Sequence, residues 1–412
     1  MDKKLTIAES TSDEEHLAVG GVHAAGRADD LAVRMRAAAA VAKAHAPAVD
    51  AEGRFPKEAF AEIRRQRLLG ILVAPSQGGE GAGLSAVADV CYTLGQACSS
   101  SALIYAMHQV KVACVSRHAR ERPRIEGTLR RIVGEQLLLA SSTTEGKMGG
   151  NVRSSEAAVV VNGDGITLER KAAVISYARE ADGIVTTARR SESAVPSDQV
   201  LVVLLKADYD LTPLSGWDAL GMRGTQSEGF TLRARASVEQ ILPDPYDKIH
   251  AHTMVPVAHL LWGSVWAGIA AAAVGRAQAF VRLAARQSGG QLPPGAHLVI
   301  EAQSSFATLR GLLASALRRY EAAQTDERML TSLEFQSTMT LLKVQASDLA
   351  VSIVLTCLRS CGLAGYRNDT EFNLGRLLRD VLSAPLMINN ERILSNLATA
   401  ALMQPLPPSI AG

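Results

Sequence analysis

The chain has 412 residues, which is more than one ordinary hydrophobic core holds, so two or three domains are expected. Hydrophobic residues make up 47% of the sequence and charged residues 20%, a balance that is typical of globular proteins and excludes wholesale disorder. The formal net charge of +2 gives no electrostatic reason to expect nucleic acid or an anionic membrane as a partner.

The N-terminal part of the chain predicts a polar arm followed by helices. Residues 1–28 are polar and mixed, so we expect a loosely held arm. Their first residues lack the apolar core of a signal peptide, and this favours a cytoplasmic protein. Residues 29–140 are predicted to form a helical domain, because alanine, the best helix former, is abundant from Ala37 to Ala46 and apolar residues then recur near helical spacing.

A glycine-rich stretch in this domain matches a dinucleotide-binding pattern. Gly81-Ala-Gly83-Leu-Ser-Ala86 has the spacing of the G-x-G-x-x-A fingerprint. That fingerprint binds a dinucleotide where alternating strands and helices follow it, and the next hundred residues show no such alternation. A loop between two helices is therefore the preferred interpretation.

Residues 141–248 are predicted to form a β domain. Val159-Val-Val-Asn162-Gly163 contains an Asn-Gly turn between β-rich runs, which is a strong hairpin signal. Further short β-rich runs follow at 173–177, 183–187, 200–205 and 229–232. Pro243 and Pro245 close this region.

Residues 249–412 are predicted to form a helical bundle. Within them, Val255–Val274 is long and apolar enough to span a membrane, with His259 as its only ionisable group. Alanine and glycine dominate this stretch, and they drive membrane insertion far less than leucine does. We therefore expect a buried bundle helix and no membrane span.

The cysteines predict no metal site. Cys357 and Cys361 lie four residues apart, on one face of a helix, but no other Cys or His cluster lies near them in the sequence. All five cysteines are interpreted as buried, reduced thiols.

Five segments carry the most specific information in the sequence. They are Leu69-Gly-Ile-Leu-Val-Ala-Pro75-Ser-Gln-Gly-Gly-Glu-Gly81, Ser142-Thr-Thr-Glu145 with Gly149-Gly-Asn-Val152, Lys171-Ala-Ala-Val-Ile-Ser176, Leu220-Gly-Met-Arg-Gly-Thr225 with Ala236–Leu242, and Leu374-Gly-Arg-Leu-Leu-Arg-Asp380 with the residues up to Ile393. In this order they resemble segments of the acyl-CoA dehydrogenase superfamily of flavoproteins. The resemblance runs from about Ala32 to Leu402.

The resemblance implies a fold, a cofactor and an assembly. The fold is expected to be α+β, with an N-terminal helical domain, a middle β domain and a C-terminal four-helix bundle. FAD is expected between the β domain and the bundle. Family members usually associate into dimers of dimers, so a homo-oligomer that completes the FAD site is expected.

The resemblance also implies cofactor-binding residues. Hydroxyls and backbone amides near Ser142, Thr144 and Ser176 are expected at the edge of the flavin ring. Arg286 is expected to reach the pyrophosphate in a neighbouring subunit, and Gly365 to let the backbone approach the cofactor. Gly149, Asn389 and Asn390 complete the expected set. Strand-edge hydroxyls, a solvated arginine and a helix-capping glycine are the alternative interpretations.

The catalytic base of the family is missing from its usual positions. The ninth residue after the Leu-Leu-Arg-Asp arginine is usually the glutamate that removes the α-proton of an acyl-CoA, and counting from Arg379 gives Ile388. Some members carry that glutamate on the first helix of the C-terminal domain, where this chain has Leu261. Glu391 and His108 remain as candidate catalytic residues. A surface acid at a helix start and a core histidine are the respective alternatives.

These features predict a FAD-dependent oxidoreductase that acts on an acyl thioester or a related carbonyl compound, with an atypical or missing base. One alternative is a reduced-flavin-dependent monooxygenase of the same superfamily, which needs no such glutamate. Another is a non-catalytic member. Both the oxidoreductase and the monooxygenase imply an electron-transfer or flavin-reductase partner. Ordinary acyl-CoA dehydrogenation is expected to be weak or absent.

Overall fold

The computed structural model of the chain describes residues 14–145 and 153–403, without the side chains of residues 14–29, 400 and 403. A first helical region contains α1 (Glu14–Glu52), α2 (Lys57–Arg65), α3 (Leu84–Ala97), α4 (Ser99–His118) and α5 (Pro123–Glu135). The β region contains β1 (Leu139–Ser142), β2 (Val160–Asn162), β3 (Gly165–Ile175), β4 (Gly183–Arg189), β5 (Gln199–Leu205), β6 (Tyr209–Ser215) and β7 (Glu228–Ser237). The second helical region contains α6 (Tyr246–Ile249), α7 (Val255–Gln287), α8 (His297–Ala323), α9 (Glu327–Thr331), α10 (Leu333–Cys361), α11 (Leu363–Tyr366), α12 (Gly375–Val381) and α13 (Asn390–Met403). The predicted order of helical, β and helical regions is confirmed.

The first helix is longer than the sequence indicated. α1 begins at Glu14, inside the segment 1–28 that was expected to be a loosely held arm. Once a helix has been nucleated, each added residue gains a hydrogen bond at little cost, and the alanine-rich stretch from Ala37 to Ala46 is a strong nucleus. The helix therefore extends from this stretch towards the N-terminus.

The glycine-rich stretch that begins at Gly81 is a loop between helices, which confirms the preferred interpretation of the sequence. A single turn of 3-10 helix at Pro75–Gln77 precedes it, and α3 begins at Leu84. Gly79 is pressed against the chain, since an added Cβ would lie 2.0 Å from the Val73 carbonyl oxygen. Gly81 has φ +63°, which few residues other than glycine adopt.

The β region consists of two sheets. One has the strand order β2-β3-β7-β6 and is antiparallel throughout; the other has the order β1-β4-β5, in which β1 runs parallel to β4. The predicted hairpin is confirmed, because Asn162 pairs with Gly165 and Gly163 has φ +59°. The runs predicted at 183–187 and 200–205 lie in β4 and β5.

α7 is the central helix of the C-terminal region. It packs against α3, α8 and α10, and Trp266, Ile269 and Ala270 are completely buried. Two helical segments of the described chain, Tyr246–Gln287 and Leu333–Cys361, are long and apolar enough to cross a membrane by length and composition alone. In the first, 83% of the most apolar window is buried inside the fold, which confirms the prediction of a buried bundle helix.

Arg379 and Asp380 in α12 connect the three regions. Arg379 Nη1 donates to Asp50 Oδ1 in α1 and to the Leu220 carbonyl oxygen, each at 3.0 Å. The buried Asp380 accepts a hydrogen bond of 2.7 Å from the Met222 amide through Oδ1. The segment that precedes β7 is thereby held against both helical regions.

The first prediction concerns this contact. Asp380→Ala leaves the buried Met222 amide without its acceptor, so the free energy of unfolding should fall by about 1–3 kcal/mol. Asp380→Asn keeps an acceptor oxygen, and it also removes a carboxyl whose pKa is raised by burial, so its loss should be smaller. Denaturant unfolding of both variants measures the difference, and equal losses would contradict the acceptor role of this side chain.

Candidate functional site

A cleft lies where the three regions of the fold meet. Its cavity volume is about 80 Å³, and the cleft is partly open to solvent. Its lining consists of Met107, Val110 and Lys111 from α4, Ser141 and Thr143 from β1 and the residue after it, Tyr246 from α6, His250 and Met254 from the turn before α7, Val255, Ala258, His259 and Trp262 from α7, and Ile388 from the loop before α13. The lining is mainly apolar, with a few basic and hydroxyl side chains.

A π-helical turn at His250–Met254 joins α6 to α7 beside the cleft. It brings His250 and Met254 to the cleft, while the Thr253 hydroxyl lies 2.9 Å from His118 Nε2 on α4. Such turns interrupt the regular hydrogen bonding of a helix and are frequent at functional sites.

Two neutral histidines line the cleft. His259 Nδ1 donates to the Met339 carbonyl oxygen at 2.9 Å, so Nε2 carries the lone pair, and Nε2 makes no hydrogen bond within the described chain. Burial and Lys343 nearby oppose the charged form, although the bond to Met339 favours it, and the net effect lowers the pKa of His259 to about 4. Burial, Arg153 and His259 lower the pKa of His250 to about 3. At neutral pH both rings are therefore hydrogen-bonding groups without charge.

Lys111 is the only lysine or arginine in the lining that the structure describes. Its side chain is almost fully buried, and Nζ lies 2.9 Å from Met254 Sδ. Burial lowers the pKa of this amine to about 8.

The loop before α13 places an apolar side chain where a base was expected. Ile388 is half-buried in the cleft lining and has φ +47°, a conformation that is unusual for a β-branched residue. Lys343 Nζ holds it by donating to the Ile388 carbonyl oxygen at 2.9 Å. Leu261, the other expected position, is completely buried. Among the lining residues described here, none is a carboxylate.

The structure does not support either catalytic candidate from the sequence. His108 is completely buried; its Nε2 donates to the Leu69 carbonyl oxygen at 2.9 Å, and its Nδ1 accepts from the Leu139 amide at 3.0 Å. Both ring nitrogens are thus used to join the first helical region to β1, and a catalytic role for His108 stays a prediction. Glu391 is exposed at the start of α13 and does not line the cleft.

Three predicted cofactor residues lie where β1 runs beside β3. Tyr177 Oη donates to the Leu139 carbonyl oxygen, so the end of β3 reaches the start of β1. Ser142 is completely buried, and its Oγ has no partner among the residues described. Thr144 is half-buried, as is Ser176, whose Oγ lies 2.8 Å from Ser227 Oγ. Ser142 Oγ is closed off from solvent, whereas Thr144 and Ser176 are partly exposed.

The other predicted cofactor residues are not brought to the cleft within one subunit. Arg286 is exposed near the end of α7, about 40 Å from His259 at about 1.5 Å per residue. Gly365 is buried by packing, since an added Cβ would lie 2.7 Å from Cys361 Cβ. Gly149 lies outside the described residues.

Two asparagines have structural roles that replace their predicted role. Asn389 is exposed and caps α13, because its Oδ1 accepts from the Arg392 amide at 3.1 Å. Asn390 is buried; its Oδ1 accepts from Lys343 Nζ, and its Nδ2 donates to Ser347 Oγ and Asp348 Oδ1, at 2.6–2.9 Å. Asn390 therefore fixes the bundle, and both of its amide protons are used within it.

Lys111, His250 and His259 were not predicted as site residues. Of these, only His259 stands alone among apolar neighbours in the sequence. That isolation gives no spacing pattern, and a satisfied core residue produces the same sequence.

A second prediction follows from the buried neutral histidines. The pKa values of His108 and His259 lie near 4, below the ordinary value of 6.5, so the unfolded chain binds protons that the folded chain does not. The contribution of these neutral histidines to the free energy of unfolding is fully present above pH 6.5 and is lost as the pH falls towards 4. His108→Gln should flatten the dependence of unfolding free energy on pH in that window, measured by denaturant unfolding. The same change at the exposed His297 should leave it intact, and an unchanged slope in His108→Gln would contradict the assignment.

Comparison with known proteins shows several similar chains. This chain is 24% identical over 343 residues to the probable acyl-CoA dehydrogenase YngJ of Bacillus subtilis, covering 82% of this chain and 87% of the relative. It is 27% identical over 360 residues to the L-evernosamine nitrososynthase of a Micromonospora species, covering 82% of this chain and 81% of that relative. Among solved structures, the fold is similar to FMN-bound TdsC, a dibenzothiophene monooxygenase of Paenibacillus sp. A11-2, with a TM-score of 0.80, 18% identity and coverage of 93% and 100%.

Both helical regions also match family descriptions. Residues 29–124 match the acyl-CoA dehydrogenase N-terminal domain, and residues 254–401 match the acyl-CoA dehydrogenase C-terminal domain. Together the two matches cover more than half of the chain and include α2–α4 and α7–α12. The chain therefore belongs to the acyl-CoA dehydrogenase superfamily.

Proposed function

We propose that the protein is a reduced-flavin-dependent monooxygenase that acts on a small molecule bound in the cleft. The observation that carries this proposal is the absence of a carboxylate from the lining that the structure describes. Removal of an α-proton from an acyl thioester requires such a base, whereas oxygen transfer from reduced flavin does not.

Dehydrogenation of an acyl thioester is the second candidate. Identity of 24% to a probable acyl-CoA dehydrogenase supports it. Against it, the residues at both positions of the family base are apolar: Ile388 lines the cleft, and Leu261 is buried in α7. The similarity to a monooxygenase and a nitrososynthase supports the first candidate instead.

A flavin suits the polar groups around the cleft. Trp262 lines the cleft and its Nε1 is buried without a partner among the residues described, so a flavin edge that carries an acceptor would satisfy it. TdsC and KijD3, two similar structures, contain FMN. We propose FAD for this chain, as the resemblance implied, because the exposed Arg286 is too far from its own cleft and suits a pyrophosphate held by a neighbouring subunit.

When bound, reduced flavin supplies the two electrons with which molecular oxygen is activated. The residues of this chain bind and orient the substrate. His259 Nε2 accepts a hydrogen bond, and its low pKa keeps it in that accepting form at neutral pH. The hydroxyls of Ser141 and Thr143 donate or accept from β1 and the residue after it. Ile388 and the other apolar side chains exclude water from the reacting atoms.

We also propose that the active form is a homo-oligomer, a dimer or a dimer of dimers. Apolar side chains project from the C-terminal region of the single subunit: Leu363 is 69% exposed and Tyr366 is 75% exposed. Exposed apolar side chains close together in space are typical of an interface. A separate flavin reductase or electron-transfer protein is the proposed source of electrons.

The third prediction tests the reaction. When purified, flavin-loaded protein is mixed anaerobically with acyl-CoAs of several chain lengths, the flavin should not be bleached. The described lining of the cleft holds no carboxylate that could remove the α-proton. A reductase that supplies reduced flavin should drive oxygen uptake when a substrate is present. Rapid bleaching by an acyl-CoA, with no substrate-dependent oxygen uptake, would replace the monooxygenase by the dehydrogenase.

Variants of His259 serve as a check on the same assay. His259→Leu removes the accepting nitrogen, so substrate-dependent oxygen uptake should fall by at least about tenfold. His297→Leu changes an exposed histidine outside the cleft and is the matched control. Thermal melting of both variants separates a loss of activity from a loss of fold.

The fourth prediction concerns assembly. Light scattering at micromolar concentration should give the mass of a dimer or a tetramer. The double variant Leu363→Asp, Tyr366→Asp should shift this mass downwards, because two charges are costly to bury in an apolar interface. Val195→Asp is the control, since Val195 is 62% exposed but lies in the β region. A monomeric mass for the unaltered protein would contradict the proposed assembly and leave Arg286 without a neighbouring cofactor.

A further inference from the structure

Lys111 lies in the wall of the cleft with almost no contact with solvent. It belongs to α4, its side chain is 3% exposed, and its one hydrogen-bond partner in the described chain is Met254 Sδ at 2.9 Å. A thioether sulfur is a weak acceptor. The amine therefore has no strong partner of its own.

Among the described residues, the groups around Lys111 do not provide a counter-ion. The ionisable groups that face it come from α4, α6, the π-helical turn and α7, and they are Cys114, Tyr246, His250 and His259. Burial raises the pKa of the Cys114 thiol to about 12 and also raises the pKa of the Tyr246 hydroxyl, so both stay protonated at neutral pH. The two histidines are neutral bases.

A buried amine without an acidic partner is costly to the fold. An uncompensated charge in an apolar site is unfavourable, and replacing such a group by an apolar side chain of similar volume is often neutral or stabilising. Lys111 lines the cleft, so its amine is well placed to contact a ligand there. An acidic group on that ligand would supply the missing partner.

We infer that Lys111 binds one acidic oxygen of the substrate, so that the cleft takes a small, largely apolar acid, either a phenol or a carboxylic acid. The inference rests on the proposed function for the identity of the cleft as the substrate site. The apolar lining, with Met107, Val110 and Trp262, contacts the body of such a molecule. The Lys111 ammonium pairs with the ionised oxygen, and this charge-assisted bond is stronger than one between neutral groups.

The pairing also has a consequence for the protonation of the ligand. A nearby positive charge lowers the pKa of an acidic group by favouring its charged form. A phenol bound against Lys111 should therefore ionise at a lower pH than it does in water. The proton that the phenol loses goes to solvent when the amine is already protonated and to the amine when it is not, so the resulting ammonium–phenolate pair has no net charge.

The fifth prediction tests this with three probes on the full-length protein loaded with oxidised flavin. The probes are 4-nitrophenol, benzoate and the neutral nitrobenzene. Calorimetry should show that at least one of the two acids binds more tightly than nitrobenzene. Difference absorption should show bound 4-nitrophenol in its ionised form at a pH below that needed in free solution. Tighter binding of benzoate identifies a carboxylic acid as the substrate class, and tighter binding of 4-nitrophenol identifies a phenol.

Lys111→Met keeps the volume of the side chain and removes the amine. It should weaken binding of the favoured acid by about ten- to a hundredfold and leave nitrobenzene unaffected, while the melting temperature stays the same or rises. Lys57→Met, which removes an exposed lysine at the start of α2, should change neither acid binding nor melting. A lysine with a purely structural role would give the opposite result, with lower melting and unchanged acid binding.

Three outcomes would overturn the inference: neither acid binds, nitrobenzene binds as tightly as both acids, or Lys111→Met binds the acids as the unaltered protein does. The outcome for the proposed function is separate. Acid binding that depends on Lys111 but is accompanied by no oxygen uptake would retain the anion site and reject the monooxygenase. Oxygen uptake with neutral substrates alone would retain the monooxygenase and reject the anion site.

Discussion

The contact between α12 and the segment before β7 is the constraint on which the position of the cleft depends. Arg379 reaches α1 and Leu220, and Asp380 accepts the Met222 amide. Gly221 lies so close that an added Cβ would be 2.1 Å from the Arg379 carbonyl oxygen. Since three regions of the chain meet at one short helix, their relative placement is fixed by backbone contact as well as by side chains. A cleft that all three regions line can therefore keep its shape.

A second set of contacts fixes the chemical character of that cleft. Lys343 holds the Ile388 carbonyl oxygen and the Asn390 side chain, so the loop before α13 is fastened to α10 from inside the bundle. The loop then presents an apolar side chain in an unusual backbone conformation. Buried polar contacts therefore hold Ile388, and not a base, at this position of the cleft. The same lysine donates to Asn390 Oδ1, so this side chain is bonded within the bundle.

The sequence predicted the features that local rules govern. Asn162-Gly163 specifies a hairpin because its turn needs a positive φ, and the alanine-rich part of α7 specifies a buried helix. The pairing of β1 with β4 is non-local, and a short alternating run does not identify its partner. His108 and Asn390 each join two elements of the fold, and a buried polar side chain in that position has the same sequence appearance as a ligand-binding one. Lys111 and His259 were missed because their significance depends on which helices meet around them.

The π-helical turn at His250–Met254 allows the cleft to change independently of the bundle. Such a turn accommodates one more residue than an α-helix does, and one residue corresponds to a rotation of about 100° about the helix axis. Loss of that residue would turn α6 and His250 away from the cleft and leave α7 packed as before. Because Tyr246, Ile249 and Met254 are buried, an insertion or deletion at this point alters the packing around the cleft together with its lining. Length variation at a single turn is therefore a route by which related chains with the same fold acquire different chemistry.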